Sequence, residues 1–75
     1  PQVLINVPVS DKAIIEKHPV VVEAIQRAEG ELGDSGRVLL RASGTEELFR
    51  VMVEAADAET ARKVAGRLAA VVAEV

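Results

Sequence analysis

The chain has 75 residues, a formal net charge of −3 and 49% hydrophobic residues, with one aromatic, Phe49, one histidine and no cysteine. That suffices for residues 1–75 to form a single small domain on an aliphatic core, and it excludes disulfide staples, thiolate metal sites and histidine clusters. The acidic balance and the missing stacking aromatics argue against nucleic acid as a partner, and no apolar run reaches the ~18 residues a membrane span needs.

Val3-Leu4-Ile5-Asn6-Val7-Pro8-Val9 is a β-branched run and predicts the first strand. Val3, Ile5, Val7 and Val9 share one face by the two-residue period. Pro8 cannot donate to a ladder, which places this strand at a sheet edge. Ser10 to Lys17 reads as a connector with room for a short turn at Lys12–Glu16. A helix starts near Pro19, where the missing N–H is not needed, with His18 as a capping or surface residue. Val21, Ile25, Ala28 and Leu32 form its buried stripe, while Glu23, Arg27 and Glu31 face away. Gly33 stops it, and Gly33–Gly36 is a loop.

Arg37–Arg41 and Leu48–Glu54 predict an antiparallel pair of strands joined by the loop Ala42–Glu47. Val38 and Leu40 then share the core face with Phe49, Val51 and Val53. The other face carries Arg37, Leu39, Arg41, Leu48, Arg50, Met52 and Glu54, a mixture suited to contact with another domain. A last helix has Asp57 as N-cap and Glu59 in its first turn. Its stripe is Ala61, Val64, Ala65, Leu68, Val71, Val72 and Val75. Gly66 sits inside it, either for a close packing contact or by tolerance on the polar side. The expected fold class is α+β, in the order β-α-β-β-α. The antiparallel sheet has strand order 1-3-2, set by a right-handed crossover, with two helices packed on one face.

One stretch departs from structural economy: Arg41-Ala42-Ser43-Gly44-Thr45-Glu46-Glu47-Leu48-Phe49-Arg50. Gly44 permits a positive φ or the close approach of a ligand. Successive amides in such a turn can form an anion-binding nest, and Ser43 and Thr45 add hydroxyl donors. Arg41 supplies a planar fork that suits phosphate, and Arg50 returns within reach on the next strand. Arg41, Ser43, Gly44, Thr45 and Arg50 are therefore candidate phosphate-binding residues. The purely structural alternative is a hairpin loop in which Ser and Thr bond their own backbone and the two arginines pair with Glu46, Glu47 or Glu54. Ser43 has no His or Lys base beside it in sequence and is not read as a nucleophile. No residue of the chain is read as catalytic or as a metal ligand.

Arg-x-Ser-Gly-Thr-Glu followed by Leu-x-Arg-Val-Met-Val-Glu resembles the phosphate-binding loop of the α-D-phosphohexomutases. Pro1–Val7 and Leu32–Leu39 resemble the same family, so that the likeness covers essentially the whole chain. Glu47 and Ala42 depart from it: the family often has Pro at the first position, and Pro or Tyr at the second. The resemblance implies the C-terminal, fourth domain of a larger enzyme, and with no apolar span and no charged n-region before an apolar core the cytoplasm is the expected location. A start at Pro1 rather than Met, directly in a strand, agrees with a piece of a longer protein. The implied reaction interconverts glucosamine 6-phosphate and glucosamine 1-phosphate through a 1,6-bisphosphate. It implies a phosphosugar and the enzyme's other domains as partners. Mg²⁺ is implied for the larger enzyme, with ligands outside this chain. This domain would hold the phosphate that is not reacting and have no catalysis of its own. A rival class with the same element order is a ferredoxin-like regulatory domain that binds a small molecule at a dimer interface.

Overall fold

The computed structural model describes residues 1–75. Strands β1 (Gln2–Pro8), β2 (Arg37–Ala42) and β3 (Leu48–Glu54) form one antiparallel sheet in the order β1-β3-β2. The β-branched residues that favour strands also set its register. On the inner face, β3 lies between its neighbours in the rows Val3–Val53–Val38, Ile5–Val51–Leu40 and Val7–Phe49–Ala42. A slip of one residue would turn every one of these side chains to solvent. β1 is an edge strand, and Pro8 lies at its end opposite Leu48, where a missing donor costs little.

Helix α2 (Pro19–Leu32) and helix α3 (Ala58–Glu74) cover that inner face. Pro19 opens α2, and His18 caps it through Nδ1, which accepts from the Val20 amide at 3.2 Å. Gly33 ends it at φ 56° and ψ −135°, a conformation open to residues without a Cβ. Asp57 caps α3: it accepts from the Thr60 amide at 3.0 Å and from the Thr60 hydroxyl at 2.8 Å. The Thr60 amide, followed by its hydroxyl, holds the Asp57 carboxyl below its ordinary value. Its contribution is therefore present above the usual carboxylate range and is lost as pH falls through that lowered value. Val21, Ala28 and Leu32 of α2 and Ala61, Val64, Ala65, Leu68 and Val72 of α3 are buried against Val7, Phe49, Val51 and Val53. Each large side chain so buried contributes about 1.5–3 kcal/mol relative to exposure.

Two local readings need correction, and a third, left open between two alternatives, is decided. The connector Ser10–Lys17 holds a genuine helix, α1 (Lys12–Lys17), because Asp11 caps it at the Ile14 amide and Ile15 inserts into the core. Ile25 and Val71 are half-buried rather than fully buried, and Val75 lies beyond α3 and is exposed. Gly66 is exposed and a Cβ there would meet nothing within 4 Å, so it is tolerated on the polar side and makes no close contact.

Candidate functional site

β2 and β3 are joined by the loop Ser43–Glu47. The Ser43 amide donates to the Leu48 carbonyl at 2.9 Å and closes its base. Ser43 is the only buried polar residue, and its Oγ accepts from the Glu46 amide at 3.3 Å. The local bond of the structural alternative is thus present at Ser43, while its hydroxyl proton remains available for donation. Gly44, Thr45, Glu46 and Glu47 are exposed. The amides of Gly44, Thr45 and Glu47, and the Thr45 hydroxyl, donate to no group in the protein. Gly44 does not adopt a positive φ, contrary to one of the two roles its sequence suggests, and a Cβ there would meet open space. What remains for Gly44 is room for an approaching ligand.

Arg41 and Arg50 are directly opposite each other on the outer face of β2 and β3. Both are exposed, and neither lies within 4 Å of a carboxylate. The ion pairs that the structural alternative requires are therefore missing: Glu54 instead faces Arg37, with Nε 3.5 Å from Oε1. Like charges directly opposite on neighbouring strands are unfavourable by a few tenths of a kcal/mol or more, roughly 0.2–1 kcal/mol. An anion between the two guanidiniums would reverse the sign of that term. Beside them, Leu4, Leu39 and Met52 line a shallow groove on the same face. No three His, Asp or Glu side chains come together in a way that could hold a metal ion. No helix is long and apolar enough to cross a membrane.

Sequence reasoning placed all five candidate residues on or beside one loop, and the structure brings Arg41 and Arg50 side by side. It missed Lys12. The Lys12 ammonium, at the first position of α1, donates to the Ser43 carbonyl at 2.6 Å and to the Glu46 carbonyl at 3.0 Å. A cation at a helix N-terminus opposes the helix dipole, and that mismatch was the available signal.

A sequence model of the family described as phosphoglucomutase/phosphomannomutase, C-terminal domain, matches residues 4–71. The chain is 79% identical over its whole length to a phosphoglucosamine mutase of Corynebacterium glutamicum and 61% identical to one of Rhodococcus jostii. It spans only 17% of the length of each. Among solved structures it superposes on the N-acetylphosphoglucosamine mutase of Aspergillus fumigatus in complex with GlcNAc-6P and magnesium. There the TM-score is 0.86 and the identity 31%, over 99% of this chain and 15% of that one. An N-acetylglucosamine-phosphate mutase in its product complex, a member of the α-D-phosphohexomutase superfamily, gives a TM-score of 0.81. Its identity is 26%, over 96% of this chain and 15% of that one.

Proposed function

This chain belongs to the C-terminal-domain family of the phosphoglucomutases and phosphomannomutases, and from that premise we propose that it is the phosphate-gripping domain of a phosphoglucosamine mutase. The reaction proposed for the longer enzyme interconverts glucosamine 6-phosphate and glucosamine 1-phosphate through a 1,6-bisphosphate. The other phosphohexomutases are the nearest alternative, and the relatives at 61–79% identity favour the amino sugar. Family membership sets the ferredoxin-like regulatory reading aside.

The observation that carries the proposal is the unpaired couple Arg41 and Arg50 beside a loop with unengaged amides at Gly44 and Thr45. Two guanidiniums offer bidentate donors to a dianion, and the amides and the hydroxyls of Ser43 and Thr45 complete a cradle. Such a cradle reads charge and shape and makes no use of the sugar. It therefore serves either end of a bisphosphate, which must turn round between half-reactions. Domain closure over the ligand would also keep water from a phosphorylated enzyme. Inorganic phosphate titrated into the chain should move the amide resonances of Ser43, Gly44, Thr45 and Glu46 and the side-chain signals of Arg41 and Arg50. Shifts spread over the basic residues of α2 and α3, with the loop silent, would refute the assignment.

No three His, Asp or Glu side chains converge on a metal position, and no hydroxyl of the loop hydrogen-bonds to a side-chain base: Ser43 Oγ only accepts from the Glu46 amide. The 75-residue chain should accordingly convert no glucosamine 6-phosphate when assayed free of other enzymes. Turnover above the buffer rate would remove the division of labour proposed for it.

A further inference from the structure

The carbonyls that Lys12 holds are not arbitrary. In a planar trans peptide the C=O and the following N–H point in opposite directions, and the chain contains no cis peptide. The Ser43 carbonyl shares its peptide unit with the Gly44 amide, and the Glu46 carbonyl shares its unit with the Glu47 amide. Drawing both carbonyls onto one ammonium therefore turns the Gly44 and Glu47 amides away from Lys12, and both are among the loop amides without a partner. The Glu47 amide is a donor that a proline at this position could not supply. The contact spans 31 residues of chain to Ser43 and 34 to Glu46, so it is made by the fold and not by local sequence. Lys12 is half-buried, and no carboxylate lies within salt-bridge distance of it to compete for its charge. The short helix that carries it is anchored by Ile15 in the core and capped by Asp11. A second backbone tie, from the Val9 amide to the Glu47 carbonyl at 3.0 Å, holds the far end of the loop to the same segment.

We propose that Lys12 is a positioning residue that aims the loop amides at the bound phosphate by holding the Ser43 and Glu46 carbonyls behind them. The proposal rests on the reading of the loop as a phosphate grip. Its role is separable from simple attraction of an anion, because Lys17 lies on the same helix, is exposed and touches no loop carbonyl.

The test compares the wild-type chain with Lys12→Met, Lys12→Arg and Lys17→Met by NMR, with inorganic phosphate as the probe and a melting curve for each. Lys12→Met keeps the aliphatic stem and removes the donors. It should shift or broaden the Gly44 and Glu47 amides before any phosphate is added, and weaken phosphate binding roughly tenfold, the equivalent of one charge-assisted hydrogen bond. Lys12→Arg should recover part of that loss. Lys17→Met should change affinity by no more than about twofold, since a surface charge is screened. Equal losses for Lys12→Met and Lys17→Met, or a Lys12→Met chain with unmoved loop amides and wild-type affinity, would overturn the proposal while leaving the phosphate grip intact. A wild-type chain whose loop ignores phosphate would instead overturn the grip, and with it the role given to Lys12. If Lys12→Met does not fold, the wild-type ammonium decides: it should exchange its protons slowly and couple through hydrogen bonds to the Ser43 and Glu46 carbonyl carbons, and absence of both would refute the contact.

Discussion

Gly36→Ala is expected to destabilise the domain by about 3 kcal/mol, at the upper end of what overpacking costs. The reason is space, not backbone conformation. Gly36 has φ −167° and ψ −176°, extended values that any residue adopts. A Cβ there would collide with the Glu54 carbonyl oxygen and lie 3.1 Å from the Ala55 Cα, both of them backbone atoms at the end of β3. Backbone held in a sheet cannot step aside as a flexible side chain can. The start of β2 must therefore move off β3, and the rung that pairs Arg37 with Glu54 goes with it. A domain of this size has about 4–11 kcal/mol of stability at ~0.05–0.15 kcal/mol per residue, so this single methyl removes a large share. The melting temperature should fall by more than ~10 °C, since each kcal/mol is worth roughly 4–8 °C in a domain this small. Gly44→Ala is the matched control. Its Cβ meets nothing within 4 Å and its φ is ordinary, so it should melt like the wild type. Equal melting of the Gly36 variant and the wild type would mean that β2 enters the sheet with more freedom than its register shows.

Arg41→Ala is expected to do the reverse: leave the fold intact and weaken ligand binding. The side chain is exposed, makes no ion pair and faces another arginine, so its loss relieves a repulsion of roughly 0.2–1 kcal/mol. The melting temperature should hold or rise slightly. Phosphate or phosphosugar binding should weaken by about 1.5–3 kcal/mol, the range for hydrogen bonds to charged groups. That is about 10- to 150-fold, with 1.4 kcal/mol for each factor of ten. Arg41→Lys should restore only part, because an ammonium keeps the charge and loses the planar fork. Added salt should narrow the difference between the variants, as the site is open to solvent. Titration of each variant with glucosamine 6-phosphate beside a melting curve gives the comparison. A variant that melts several degrees lower yet binds as tightly as the wild type would make Arg41 a structural residue and end its part in the grip.

Features that depend on near neighbours along the chain were legible in the residues alone. The two-residue alternation of Val3, Ile5 and Val7 and of Phe49, Val51 and Val53 marked the strands and their buried face. The helical spacing of Val21, Ala28 and Leu32, bounded by Pro19 and Gly33, marked α2, as Asp57 and the run from Ala61 to Val72 marked α3. Pro8 placed β1 at an edge, and the concentration of Arg, Ser, Gly and Thr from Arg41 to Arg50 marked the loop. Tertiary structure alone decided what depends on residues far apart. Helix α1 is too short to show a period, and it exists because Ile15 finds the core and Asp11 caps its start. Gly36 looked like one more loop glycine until β3 came to lie against it. Arg41 and Arg50 became an opposed pair only through the register of β2 on β3, which left Glu54 to Arg37. Lys12 reached the loop across 31 residues. Periodicity and capping are written in adjacent side chains, whereas register, close approach and long-range hydrogen bonds are set only once the whole core has packed.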